Sequence, residues 1–165
     1  MKKLTNPSRL LSILLVIFIT GSVFAAWRGR PEVKVSLTGT VERDKQVIQL
    51  EKAGLLTPGE ILNWTITSQN AGSAPAHQYK TVGEIPAGTA YVASSAQAGN
   101  GVGIVYSIDQ GKTFDAKPMI DQKQPDGSIR KIAAPSSRYT HIRYEWNEPL
   151  NEGKQVSASY KVRVK

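Results

Sequence analysis

The chain has 165 residues, a formal net charge of +8 and no cysteine. The absence of cysteine excludes disulfides, thiol catalysis, iron–sulfur clusters and thiolate zinc sites. The mild positive charge favours an anionic polymer of an envelope or matrix, and we predict no nucleic-acid partner.

The first 25 residues have the layout of a secretory signal peptide. Lys2, Lys3 and Arg9 precede an apolar run over residues 10–19, and small residues follow it. We predict cleavage after Ala25, with Ala26 as the alternative, which leaves about 140 residues with a charge of about +5. An uncleaved membrane anchor is the other interpretation, because the apolar run approaches the length of a membrane span if it is counted to Ala26. The predicted location is the periplasm, the cell surface or the medium.

Alternating apolar and polar residues then predict a series of strands. Residues 26–44 form a lead-in and a first strand, and further strands follow at 47–50, 62–67, 79–85 and 89–93. The Asn100-Gly101 pair predicts a hairpin turn leading into a strand over 102–108. Residues 115–138 are polar, with a small hairpin at Asp126-Gly127. Strands over 140–146 and 156–165 complete the chain.

The last strand alternates without a break. Val156, Ala158, Tyr160, Val162 and Val164 share one face. Lys161, Arg163 and Lys165 share the other, where they either grip an acidic polymer or protect an edge strand from aggregation, the latter being preferred.

Seven to nine short strands with frequent turn signals predict an immunoglobulin-like antiparallel β-sandwich over residues 45–165. A small closed barrel is the alternative architecture.

Three segments carry a family resemblance. Residues 57–67 contain Thr57-Pro58-Gly59-Glu60 before a strand, residues 69–76 contain Asn70-Ala71-Gly72, and residues 83–92 contain Pro86-Ala87-Gly88-Thr89. With the closing segment 150–154, this pattern resembles the domain-of-unknown-function eleven family, a repeat of bacterial and archaeal surface proteins. The resemblance covers about residues 45–165 and implies an immunoglobulin-like module of secreted or envelope proteins.

A second local motif lies at Ser107, Asp109, Gly111, Thr113 and Phe114. Its Ser-x-Asp-x-Gly-x-Thr-aromatic pattern resembles the Asp-box of sialidases and other sugar-processing propellers. In physical terms it predicts a structural turn, in which the aspartate bonds turn amides and glycine takes a positive φ. We therefore interpret it as structural rather than catalytic.

No metal, cofactor or catalytic site is predicted. His77 and His141 lack metal-ligand spacing, and no nucleophile elbow is present. The aspartates of the polar region, at positions 109, 115, 121 and 126, leave calcium as an alternative, although their spacing does not match an EF-hand loop.

These observations predict a non-enzymatic exported module that binds or assembles at the bacterial envelope or in the extracellular matrix. Its partner is an unidentified protein or anionic polymer, or a second copy joined through sheet edges. Residues 32–38 are a candidate arm for such pairing, and as a free arm they would be dispensable for folding. A carbohydrate-binding module is the alternative, and a sialidase-like hydrolase is a third hypothesis.

Overall fold

The computed structural model describes residues 29–165. The predicted signal peptide and its cleavage site at Ala25 or Ala26 lie outside these residues. Within the described part of the chain, no helix combines the length and the apolar character needed to cross a membrane.

The described residues are all-β apart from two 3₁₀ turns, Leu50–Lys52 and Ser136–Arg138. The strands, in chain order, are β1 (Val33–Arg43), β2 (Gln46–Gln49), β3 (Ile61–Asn70), β4 (Lys80–Glu84), β5 (Thr89–Tyr91), β6 (Gln97–Ala98), β7 (Val102–Ser107), β8 (Met119–Lys123), β9 (Ile129–Ala133), β10 (His141–Trp146) and β11 (Gln155–Val164).

All strand pairs between these elements are antiparallel. A six-stranded sheet has the order β2-β1-β3-β11-β5, and the short β6 also pairs with β11. A three-stranded sheet has the order β4-β10-β7, and β8 and β9 form a separate hairpin. The hairpin predicted at Asp126-Gly127 is thereby confirmed, and Gly127 has the positive φ that its turn requires, +87°.

One apolar core lies between the two larger sheets. Leu62 and Ile66 of β3 and Val162 of β11 enter it from one side, and Ile142 and Tyr144 of β10 enter it from the other. The arrangement is sandwich-like, and it follows from the period-2 alternation that turns one face of each strand inward.

Two buried tyrosines connect the sheets in opposite directions. The Tyr144 hydroxyl, from the three-stranded sheet, donates to the Ser159 carbonyl at 2.7 Å. The Tyr160 hydroxyl, from the six-stranded sheet, donates to the Glu84 carbonyl at 2.5 Å. Each hydroxyl is satisfied despite burial, which removes the cost of placing a phenol in the core.

The final strand is central, not at an edge. Its alternation is as predicted, with Ala158, Tyr160 and Val162 buried. However, β11 pairs with β3 on one side and with β5 and β6 on the other. The interpretation of Lys161, Arg163 and Lys165 as protectors of an edge strand is therefore wrong.

The predicted hairpin at Asn100-Gly101 is also wrong. Gly101 takes a positive φ of +69°, as a turn requires. However, β6 before the turn pairs with β11, and β7 after it pairs with β10. The segment therefore carries the chain from one sheet to the other.

The first strand belongs to the six-stranded sheet. Its register with β3 runs from Val33 opposite Asn70 to Val41 opposite Leu62. A two-residue turn at Asp44 and Lys45, both with positive φ, connects it to β2. The predicted boundary between residues 44 and 45 falls in this turn. The segment 32–38 is thus held along one edge by its own sheet, and its removal is expected to destabilise the monomer.

Candidate functional site

The Asp-box-like motif forms a compact turn directly after β7. Ser107 is buried at the end of that strand, and its Oγ accepts bonds from the amides of Asp109 and Gly111 at 3.2 and 2.9 Å. Gln110 and Gly111 both take positive φ, +62° and +79°. Glycine suits the second of these positions because it adopts positive φ without the steric cost that a Cβ adds.

The Asp109 carboxylate is fully engaged within this turn. Its Oδ1 accepts from the Ser107 hydroxyl at 2.7 Å and from the Thr113 amide at 2.9 Å. Its Oδ2 accepts from the Thr113 hydroxyl at 2.6 Å. These donors, Thr113 first, hold the pKa of Asp109 far below its ordinary value because they favour the ionised form.

The turn is anchored to β10. The Gln110 amide donates to Thr140 Oγ1 at 3.1 Å, just before that strand begins. The Arg143 guanidinium lies over the Phe114 ring at 4.2 Å from its centroid, and Glu145 accepts from Arg143 Nε at 2.7 Å. The aromatic residue of the motif therefore packs the turn onto the sheet through a cation–π contact.

This geometry has a chemical consequence. The hydroxyl of Ser107 and the carboxylate of Asp109 are held by several hydrogen bonds at once, and Asp109 remains ionised at neutral pH. Neither group is arranged as an activated nucleophile or a general acid, which would require a pKa closer to the working pH.

The histidines and the remaining aspartates of the polar region are dispersed. His141 Nδ1 lies 3.2 Å from Thr140 Oγ1, and His77 is exposed in the loop before β4. Asp115 and Asp126 accept amides of their own turns, from Lys117 at 2.7 Å and Ser128 at 2.9 Å. Among residues 29–165, no three Asp, Glu or His side chains come together in a way that could hold a metal ion.

A second anchored loop surrounds Glu60. Its carboxylate forms a two-pronged pair with Arg43, at 2.6 and 3.1 Å, and accepts the Thr57 amide at 2.7 Å. Arg43 also donates to the carbonyls of Ala53 and Leu55. The Arg43 guanidinium and the Thr57 amide lower the pKa of Glu60 to about 2. This pair holds the loop before β3 against β1.

An open cleft of about 800 Å³ lies at one end of the sheets. It is lined by half-buried Trp146 and by polar loop residues that include Asn100, Asn147, Glu148 and Asn151. This cleft could not be predicted from the sequence, because the residues that line it come from two segments that are far apart in the chain, 99–101 and 146–157. The sequence signal for this cleft is the asparagines of two turn segments, Asn100 in one and Asn147 and Asn151 in the other. Asn147 directly follows the aromatic strand residue Trp146.

Lys161 and Arg163 of β11 lie on the outer face of the six-stranded sheet, and Lys165 directly follows the strand. Lys161 and Arg163 are exposed, and Lys161 borders a shallow depression that contains Lys45 together with Glu42 and Asp44. The neighbouring outer positions of β3 carry hydroxyl and amide groups, such as Asn63 opposite Lys161 and Thr65 opposite Ser159. This face is therefore polar and mildly cationic.

No family model, curated protein or solved structure matches the chain.

Proposed function

We propose that the chain is an exported, non-enzymatic module that binds or assembles at the bacterial envelope or in the extracellular matrix. Export rests on the signal-peptide layout of residues 1–25. An immunoglobulin-like form rests on two antiparallel sheets that share one core and on the resemblance of residues 45–165 to the domain-of-unknown-function eleven family.

One observation carries the binding role. The groups most suited to chemistry, Asp109, Ser107 and Glu60, are all hydrogen-bonded into turns that hold the fold together. The outer face of the six-stranded sheet, in contrast, presents Lys161 and Arg163 to solvent. A cationic, hydrogen-bonding surface of this kind suits an anionic polymer.

The test combines location with binding. The native protein is recovered from the envelope and from the medium, and its mass shows whether cleavage occurred at Ala25 or Ala26. Binding to immobilised alginate is then measured at two salt concentrations. We expect K161Q/R163Q/K165Q to lose most of the salt-sensitive binding.

The control removes the same charge elsewhere, in K112Q/K117Q/K123Q, whose lysines lie in the Asp109 turn and near the β8–β9 hairpin. Equal loss in both variants would mean that net charge alone governs binding. Retention of the chain in the cytoplasm would contradict the proposal as a whole.

A carbohydrate-binding role is the second candidate, favoured by the cleft beside Trp146. Aromatic rings with nearby amides are suited to stacking and hydrogen bonding with sugars. The test is a glycan array with N147A/N151A and, as a control, N63A on the outer sheet face. No binding to any neutral glycan would dismiss this candidate.

A further inference from the structure

The N-terminal half of β1 has an unpaired edge. On one side, β3 pairs with β1 from Val33 onward. On the other side, β2 pairs only with the far end, from Thr40 opposite Gln49 to Arg43 opposite Gln46. Within the described residues, positions 33–39 therefore have a strand neighbour on one side only.

The backbone groups that point to this open side can be assigned from the alternation of an antiparallel ladder. The Ala71 amide donates to the Glu32 carbonyl at 2.8 Å, so Glu32 bonds toward β3. Even-numbered residues of β1 share that direction, and the odd-numbered ones point the other way. The N–H and C=O groups of Val35 and Leu37 consequently face the open edge.

The side chains of the same two residues are exposed. Val35 is 56% exposed and Leu37 is 55% exposed, although both share the face of Val41, which is buried. The ring of Trp64 and the side chain of Leu50 cover that face at Gly39. The three-stranded sheet is narrower than its partner, so the inner face of the sheet is left open at Val35 and Leu37.

The edges of the three-stranded sheet are better protected. At the β4 edge, the Glu84 carbonyl accepts the Tyr160 hydroxyl, and Lys80 forms a 3.4 Å ion pair with Glu145. At the β7 edge, Tyr106 exchanges two backbone bonds with Asp115. Proteins commonly protect edges with lysines or covering loops, and within the described residues the free stretch 33–39 has one lysine, Lys34, and no strand neighbour on its open side.

We propose that this edge pairs with the same edge of a second copy, as an antiparallel two-fold dimer centred on Ser36. Val35 of each copy then lies opposite Leu37 of the other, and the four side chains form one apolar strip. The proposal deepens the assembly role proposed above by naming its surface and its partner.

Charge favours this register over the one centred on Val35. With the axis at Ser36, Lys34 lies opposite Thr38 of the second copy, and no two like charges face each other. With the axis at Val35, the two Lys34 side chains become diagonal neighbours, which repel each other. The Ser36-centred register also uses the whole free stretch from position 33 to position 39.

The contact is small, since it joins two short strands and a few side chains. Interfaces of this size are below the range of permanent dimers, so we expect a weak, concentration-dependent association. A covalent trap is therefore the suitable measurement.

The test uses S36C in the full-length chain, which has no other cysteine. Position 36 pairs with itself at a narrow, non-hydrogen-bonded site, where Cα atoms lie about 4.5 Å apart. That separation falls within the range that a disulfide spans, about 4.4–6.8 Å. We expect mild oxidation to produce a disulfide-linked dimer of S36C.

Two further variants test the register. K34C alone and T38C alone are expected to remain monomeric, whereas a mixture of the two is expected to give the linked heterodimer. S157C places a cysteine on the same outer face, on central β11, and measures random collision. Linkage of S36C no faster than that of S157C would overturn the proposal.

A non-covalent measurement completes the design. Sedimentation at rising concentration should show at least a tenfold weaker dimer for V35K/L37K than for wild type, and no change for V82K on the β4 edge. Loss of the dimer in V82K alone would place the contact at the other sheet and overturn the proposal. Export and alginate binding are measured on the same samples, so failure of dimerisation is distinguished from failure of the proposed function.

Discussion

Asn70 organises the end of β3 through its side chain. The residue is fully buried, and its Oδ1 accepts from the amides of Glu32 and Gly72 at 3.2 and 3.0 Å. Its Nδ2 donates to the carbonyls of Ala74 and Leu150 at 2.7 and 2.9 Å. One amide group thus joins the chain before β1, the loop after β3 and the loop before β11.

We expect N70A to be strongly destabilising. The substitution leaves two amides and two carbonyls without their partner in a buried site, and such losses cost about 1–3 kcal/mol for each unsatisfied group, partly relieved by water. We expect the free energy of unfolding, measured by urea denaturation, to fall by about 3 kcal/mol. N63A is the control, because Asn63 makes only a 3.5 Å contact with Thr65 on the outer face. Equal stability of the two variants would contradict the role given to Asn70.

Asp109 makes the stability of the fold depend on pH. Its pKa in the folded chain lies far below its ordinary value, so the folded state binds fewer protons than the unfolded state around pH 4. The stabilisation it provides is complete above its unfolded pKa, about 3.9, and is lost as the pH falls toward the folded pKa. We expect D109N to lower the melting temperature at pH 7 and the difference from wild type to shrink below pH 4. D121N, on exposed β8, is the control, and a difference that stays constant down to pH 2 would contradict this account.

At the scale of elements, a close approach at Gly83 sets the distance between the sheets. A Cβ at this position of β4 would lie 2.5 Å from Cε1 of Tyr160 in the opposite sheet. Tyr160 is held in place because its hydroxyl bonds to Glu84. The absence of a side chain at Gly83 therefore allows the tyrosine to cross the core.

We expect G83A to destabilise the fold by about 1–3 kcal/mol, the usual cost of overpacking a core. Thermal unfolding of G83A and of G103A provides the comparison. Gly103 also lies in a strand of the three-stranded sheet, but its nearest atoms to an added Cβ, in Glu145, are 3.8 Å away. A stable G83A would mean that the sheets adjust their separation freely.

The sequence could predict the structural features that depend on residues close together in the chain. The alternation of β3, β10 and β11 identifies these strands because side-chain direction depends only on neighbouring backbone. The Asp-box-like turn could be anticipated for the same reason, because its bonds join residues within a few positions of Ser107.

Partner choice between strands could not be predicted in this way. A central strand with one wet face, such as β11, alternates in the same manner as an edge strand, so Lys161 and Arg163 carried no information on its position. The Asn100-Gly101 pair specifies a tight change of direction but not which sheet receives the following strand. The cleft at Trp146 depends on the position of β11 in its sheet and on the crossing of the chain at Asn100-Gly101. Neither could be predicted from the sequence, and so the cleft could not be predicted either.

At the scale of the whole molecule, the strands contribute unequally to the stability of the fold. β11 joins β3 to β5 and β6, so its removal divides the six-stranded sheet. Among residues 29–165, the strands of the β8–β9 hairpin pair only with each other. Its contribution to the shared core is small, since Met119 and Ile129 are exposed.

We expect deletion of residues 155–165 to abolish cooperative unfolding, whereas replacement of residues 119–133 by a short glycine–serine linker should retain it. Circular dichroism during heating and resistance to protease are the measurements. Loss of the fold in both variants would show that the hairpin supports the core, contrary to its exposed position.

The central position of β11 also affects the stage of synthesis or translocation at which the six-stranded sheet can form. A chain that leaves a ribosome or a translocation channel from its N-terminus presents β1 and β3 first and β11 last. Until β11 has emerged, β3 and β5 have no strand to join them. Asn70 likewise lacks one of its hydrogen-bond acceptors until Leu150 has emerged. The pairing between β3 and β11 is long-range in sequence, and such contacts form slowly. The order of the strands therefore delays completion of the six-stranded sheet until β11 is available, which suits the unfolded passage through a secretion channel that the proposed export route requires.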